Sequence, residues 1–203
     1  MGISNLTKLP PFILLASSSP RRVELLKQIT PSFKVIPNKL IHETRDPKDG
    51  SLRNQLKKLC YRKAIASKNG HTEWILTADT IVIHNNHILE KPRSLKDAKN
   101  MLTQLSGQSH RVMTAVCFYH PISEKRFLYS ASSQVTFSNL TKQDINHYVS
   151  TCKPLDKAGG YGFQELPSHF IASYKGSKYT IIGLPLHIIK QGFQDIHRSM
   201  NRI

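Results

Sequence analysis

Ser17-Ser18-Ser19-Pro20-Arg21-Arg22 follows directly on the apolar run Phe12 to Ala16. A strand that feeds straight into a helix start leaves backbone N–H groups unpaired at the turn. The helix dipole adds to their attraction for an anion. Hydroxyls and two guanidinium groups at the same place suit phosphate oxygens, which arginine binds in a two-pronged way. Read alone, the same residues also describe a capped helix with two solvated arginines. The segment is not a Walker loop, because Gly-x-x-x-x-Gly-Lys-Ser/Thr is absent from the chain.

Ala78-Asp79-Thr80 lies inside the β-rich stretch Trp74 to His84. An aspartate in such a stretch is costly unless it is paired or working. A carboxylate at a strand end can hold a divalent metal or orient a water. The plainer reading is a turn aspartate that separates two strands. Glu90-Lys91-Pro92-Arg93 adds a cation that Pro92 biases towards an extended backbone. Asp156-Lys157-Ala158-Gly159-Gly160-Tyr161-Gly162-Phe163-Gln164 combines three glycines with an acceptor, a cation and an amide able to read a base edge. His84 and His87 flank Asn85-Asn86, where a metal could be ligated, but two solvated histidines are the plainer reading. Gly-x-Ser-x-Gly and His-Glu-x-x-His are both absent. Cations, scattered carboxylates and a glycine-rich loop belong to phosphoryl chemistry more than to acyl or redox chemistry.

The elements that must position these groups follow from periodicity. Phe12 to Ala16 reads as a buried strand, and Ser19-Pro20 opens a helix to about Ile29. Phe33 to Ile36 reads as a strand, Ile41 to Gly50 as polar loop, and Ser51 to Ser67 as a helix with Leu52, Leu56, Leu59 and Cys60 on one face. Trp74 to His84 is β-rich and turns at Asn85-Asn86. Ser94 to Ser106 is a helix stopped by Gly107. Val112 to Tyr119 and Arg126 to Phe137 are strands, and Thr141 caps a helix to about Ser150. Phe170 to Ile182 reads as a hairpin around Lys175-Gly176-Ser177, and a basic amphipathic helix bearing Leu186, Ile189, Phe193 and Ile196 ends the chain. Helices and strands mix without strict βαβ alternation. The expected class is α/β or α+β, with a mixed curved sheet and surrounding helices.

The 203 residues suffice for a single domain, with two lobes around a cleft as a variant of it. A formal net charge of +16 favours anionic partners. The cations are dispersed, as in Lys57-Lys58, Arg62-Lys63 and Lys190 to Arg202, so charge does not separate an enzyme from a nucleic-acid binder. Three cysteines without a Cys-x-x-Cys argue for reduced thiols and a cytosolic protein. No apolar run is long enough for a membrane span.

Taken in order, Leu-Ala-Ser-Ser-Ser-Pro-Arg-Arg (15 to 22), Ala-Asp-Thr-Ile-Val (78 to 82), Glu-Lys-Pro (90 to 92), Leu-Ser-Gly-Gln (105 to 108), Asp-Lys-Ala-Gly-x-Tyr-Gly-x-Gln (156 to 164) and Gly-Leu-Pro (183 to 185) resemble the motifs of the Maf family of nucleotide pyrophosphatases. The resemblance implies an elongated mixed α/β, inosine-triphosphatase-like fold with a central cleft, commonly a homodimer, acting on a nucleoside triphosphate with Mg²⁺ or Mn²⁺. It implies Asp79 as the catalytic carboxylate, acting as base, metal ligand or both. Ser17, Arg21, Arg22, Lys63 and Lys91 match phosphate-handling positions, and Glu43 matches an acidic position that helps with the metal. Arg21, Thr80 and Gln164 match the branch that resembles dTTP/UTP pyrophosphatases; the branch that favours methylated guanosine triphosphate differs there. Arg62 and Gly160 depart from the common pattern, which often has Glu and Ala. The alternative is a basic nucleic-acid-binding or cell-division regulatory protein without hydrolase activity, under which Asp79 and the glycine-rich loop lack a purpose.

Overall fold

In the computed structural model, which describes residues 11–201, the chain builds one seven-stranded mixed sheet. Strand β1 (Ile13–Ala16) is buried throughout and lies between two parallel neighbours, β2 (Phe33–Ile36) and the beginning of β3 (Trp74–His84). Strands buried on both faces carry continuous apolar runs, as Ile-Leu-Leu-Ala does. Asn85-Asn86 turns β3 back into the short β4 (His87–Leu89). Both asparagines take positive φ, 48° and 63°, which a tight two-residue hairpin turn requires. On its other side β3 pairs antiparallel with β5 (Ser109–Tyr119). The sheet continues through β6 (Arg126–Phe137) to the edge strand β7 (Ile171–Lys175).

Among the described residues six α-helices cover the sheet: α1 (Pro20–Lys27), α2 (Leu52–Ala66), α3 (Leu95–Leu105), α4 (Lys142–Cys152), α5 (Lys178–Ile182) and α6 (Leu186–Met200). Side chains alternate between faces along a strand, and this period of two sorts the core. Leu76 and Ala78 of β3, with Val116 and Phe118 of β5, pack against Leu25 and Leu26 of α1 and Ile189, Phe193 and Ile196 of α6. Val82 and Val112, further along the same alternation, join a separate cluster with Leu102 and Leu105 of α3 and Tyr148 and Val149 of α4. On the other face Ile75, Ile81, Ala115 and Cys117 pack on Leu56, Cys60 and Ala64 of α2. Between the two clusters of the first face stands one polar cross-strand pair, Thr80 opposite Thr114. That polar seam separates the two apolar clusters on this face of the sheet.

His110, at the start of β5, is buried beside Tyr161 and Phe137, and its Nε2 lies 2.6 Å from the Tyr161 hydroxyl. Burial lowers its pKa to about 4 from the ordinary 6.5. An unfolded chain therefore takes up a proton between pH 6.5 and about 4 that the folded chain refuses. Stability should fall as pH drops through that window and show no further loss from this group below it. His110→Gln, which can still bond Tyr161 but does not titrate, should flatten that stretch of a thermal-midpoint profile against pH. An equally steep slope in the variant would remove His110 as its source.

Several expectations are corrected. The first helix ends at Lys27, not near Ile29, because Gln28 and Ile29 close a turn ahead of Thr30-Pro31. The polar loop contains a short 3₁₀ turn, Pro47–Asp49, capped by the Asp46 side chain. The strand expected from Val112 begins at Ser109. Asp79 is at neither a strand end nor a turn but in the middle of an unbroken strand. The expected hairpin over 170–182 is not formed. Strand β7 pairs instead with β6, and Gly176, at φ +99°, leads into helix α5. The β-branched Thr180 and Ile181 favour a strand locally, but both are buried inside that helix, so packing overrides propensity. No helix among the described residues is long and apolar enough to cross a membrane.

Candidate active site

Strand β1 accompanies β3 only from Trp74 to Leu76, and β4 accompanies it only from Val82 to His84. Between them the edge of β3 is open, and a cleft lined by Ala78, Asp79, Thr80 and Val82 enters there. The end of β1 delivers Ser17, Ser18 and Ser19 and the start of α1 to the same cleft. Ligands of open α/β sheets bind at carboxyl ends of parallel strands, and helix N-termini favour anions there. Ser19 occupies the N-cap position, but its side chain makes no capping bond, contrary to expectation. The first turn of α1 is thus left uncapped by a side chain on the cleft side.

Consecutive strand residues point to opposite faces, yet Asp79 and Thr80 both reach the cleft because it wraps around the open edge. Asp79 faces α2. There Lys63 Nζ lies 2.7 Å from Asp79 Oδ1 and 2.8 Å from Glu43 Oε2. The Lys63 side chain is only 5% exposed. Burial by itself would lower its pKa, but Asp79 and the bonds to both carboxylates outweigh burial and Arg22, and the net shift is upward. Lys63 is therefore a fixed positive charge between two carboxylates. Asn38, also in the cleft wall, donates its amide to Glu43 Oε1 and holds it there.

Thr80 faces α1. Arg22 donates from Nε to the Gly183 carbonyl at 3.0 Å, from Nη1 to Ser17 Oγ at 3.4 Å and from Nη2 to Thr80 Oγ1 at 3.3 Å. A guanidinium has five N–H groups. Three are committed, and one remains on each terminal nitrogen, the spacing of a phosphate fork. Burial pulls the Arg22 pKa below its ordinary value, opposed by Asp79. Ser17 Oγ also accepts from the Ser19 backbone N–H at 3.2 Å, so its own proton is left to donate. Gly183 sits at φ +116°, where a side chain would be strained, and an added Cβ would lie 3.1 Å from Thr80 Oγ1.

Opposite these groups stands the glycine-rich segment. Gly159, at φ +71°, presses its backbone onto Val82, where a Cβ would come within 3.0 Å. Arg21 reaches across the cleft to Asp156 at 3.1 Å, and Lys157 Nζ bonds Asp156 at 2.7 Å and Glu165 at 3.2 Å. Burial would raise the Asp156 pKa, but Lys157 and Arg21 together hold it below the usual carboxylate range. The Lys91 side chain is exposed at the rim and makes no ion pair among the described residues.

The structure thus brings together Ser17, Arg21, Arg22, Glu43, Lys63, Asp79, Thr80 and Lys91 around one cleft. Gln164 is exposed, and although its neighbour Phe163 lines the cleft, Gln164 does not. Asn38 was not singled out by the sequence; it is one polar residue in a loop, and nothing in its spacing distinguishes it. Lys157 carries a sequence signal, a lysine inside a glycine-rich run, and proves to be a buried cation.

The Maf-like protein family matches residues 12–196. A dTTP/UTP pyrophosphatase of Thermosipho africanus (strain TCF52B) is 42% identical over 174 residues, 86% of this chain and 87% of that protein. A dTTP/UTP pyrophosphatase of Shigella boydii serotype 4 (strain Sb227) is 42% identical over 86% of this chain and 87% of its own length. One from Clostridium perfringens (strain ATCC 13124) is 35% identical over 90% of this chain and 96% of its own. Among solved structures, the Ham1 protein of Staphylococcus aureus covers 65% of this chain and 78% of its own, with a TM-score of 0.43 and 14% identity.

Proposed function

The chain belongs to the Maf-like protein family, and from that premise we propose that it is a nucleoside triphosphate pyrophosphatase that hydrolyses dTTP and UTP to the monophosphate and pyrophosphate. The observation that carries this reading is the convergence of two clamps on one cleft: Asp79 with Lys63 from one face of the sheet, Arg22 with Thr80 from the other. A phosphate chain needs cations fixed in place and a carboxylate beside them, and here the protein's own contacts hold both.

In the reaction a water oxygen bonds the α-phosphorus as the bond to the β-phosphate oxygen breaks, and pyrophosphate departs. Arg22 offers its two uncommitted N–H groups to phosphate oxygens, and Ser17 offers its hydroxyl proton. Lys63 occupies Asp79 Oδ1, so Oδ2 is the oxygen available to accept the proton lost by the water. Arg21 and Lys157 are already balanced by carboxylates, so their engagement by phosphate exchanges one anion for another.

A divalent cation fits the donors present. Lys63 fills the point between Asp79 and Glu43, so the ion would be held by Asp79 Oδ2, with Glu43 beside it. Mg²⁺ commonly binds through one or two carboxylates together with substrate phosphates, and Asp79 and Glu43 would supply those carboxylates here. When bound, such an ion supplies positive charge to the phosphate oxygens.

The family resemblance attributes base selection to Arg21, Thr80 and Gln164; Arg21 and Thr80 line the cleft, which supports them most directly. A homodimer and a cytoplasmic location belong to the same proposal, the latter supported by the free, buried thiols of Cys60 and Cys117. The decisive test is pyrophosphate release from dTTP, UTP, CTP, ATP, GTP and 7-methyl-GTP, each with a divalent cation and with excess chelator. The expected result is highest kcat/KM for dTTP and UTP and no turnover with chelator. A preference for 7-methyl-GTP would defeat the base assignment, and full activity in chelator would remove the metal.

A further inference from the structure

Thr114 does not line the cleft and is fully buried, yet it sits at the end of a hydrogen-bond chain that begins on a phosphate-handling group. Thr80 Oγ1 and Thr114 Oγ1 are 2.9 Å apart, and Thr114 Oγ1 is 2.8 Å from the Thr180 carbonyl. A carbonyl only accepts, and a threonine hydroxyl has one proton. The Thr114 proton is therefore spent on Thr180, and Thr114 can only accept from Thr80. The Thr80 proton is spent in turn, and Thr80 meets Arg22 Nη2 with a lone pair. The direction of the whole chain is set from the buried carbonyl of α5 outward to the guanidinium.

We infer that Thr114 is a positioning residue for the substrate's phosphate chain, acting only through Thr80: it fixes the Thr80 hydroxyl as an acceptor and so aims Arg22. The inference rests on the pyrophosphatase reading above and extends it to a residue outside the cleft. Without the Thr114 hydroxyl, the Thr80 proton has no fixed acceptor. The hydroxyl is then free to rotate, and a proton turned towards Arg22 opposes the guanidinium. The Thr80–Thr114 pair lies in the seam between the two apolar clusters, so the chain also ties Arg22 to α5 through that seam.

The test compares wild type, Thr114→Val, Thr114→Ser, Thr80→Val and the double valine variant in kcat/KM for UTP, with thermal midpoints measured alongside. Thr114→Val should lose about tenfold, the scale of one hydrogen bond that serves a charged group. Thr114→Ser should stay within about twofold of wild type on the same scale. In the Thr80→Val background the second valine should cost nothing further, because its only route is gone. Thr114→Ala carries the same expectation as valine if the valine variant does not fold. Wild-type kcat/KM in the hydroxyl-free variants, a multiplicative loss in the double variant, or a serine variant as poor as valine each overturns the inference. Wild type inactive on every triphosphate removes the pyrophosphatase reading instead. The thermal shift with inorganic tripolyphosphate then reads the aim of Arg22 directly: it should be present in wild type and Thr114→Ser and reduced in Thr114→Val, and equal shifts in all three overturn it.

Discussion

Asp79→Asn is expected to lower kcat/KM for UTP by about a hundredfold or more, the usual scale for a positioned acid–base group, while the protein stays folded. The amide keeps the shape of the carboxylate, so the strand, its pairing with β5 and the apolar residues on either side are undisturbed. What it loses is the negative charge that faces Lys63 at 2.7 Å and the capacity to accept a proton or hold a cation. Oδ1 is bonded to Lys63, so the asparagine oxygen should settle there and present its NH₂ where Oδ2 stood. A donor in that place cannot take the proton that the attacking water must lose. Circular dichroism and a cooperative thermal transition establish that the variant is folded; pyrophosphate release measures the loss. Wild-type turnover in a folded Asp79→Asn protein would sink the assignment of Asp79.

The strands were legible because their burial has a period. Phe127, Tyr129 and Ala131 of β6 alternate in sequence and pack on the α1–α6 side, and Val135 and Phe137 continue the alternation into the other cluster. The asparagine turn was legible because few residues tolerate positive φ twice in succession. The segment after Gly176 was not. Its β-branched residues argue for a strand, and only the fold reveals that β6 already has β7 beside it and that Thr180 must bury its backbone against Thr114. Single residues of the site were legible by type, notably Asp79 in an apolar strand and two arginines at a helix start. Their partnerships were not. Lys63 comes from α2 and Gly183 from the turn after α5, and nothing local in either segment announces which carboxylate or guanidinium it will meet. The open edge of β3 is likewise a property of three strands together, since it exists only where β1 stops before β4 begins.

Lys63→Met should lower kcat/KM by about a hundredfold and lower stability by about 2 kcal/mol. Methionine nearly preserves length and apolar stem, so the packing of α2 against the sheet changes little. The charge is what goes. Asp79, with 17% of its side chain exposed, and Glu43, with 40%, are then left facing each other without the ammonium between them. Removing one partner of a fully buried pair costs about 3–5 kcal/mol, and the access of water to both carboxylates reduces that figure here. Catalysis suffers twice, because a phosphate-handling cation is lost and Asp79 is no longer held in register with Arg22. The two effects separate in the Lys63→Met, Asp79→Asn double variant. Neutralising Asp79 relieves the repulsion with Glu43, so urea unfolding should show the double variant more stable than Lys63→Met alone, while its activity stays at the level of Asp79→Asn or below. Additive destabilisation in that cycle would mean that Lys63 stabilises the fold through its stem and not through the two carboxylates.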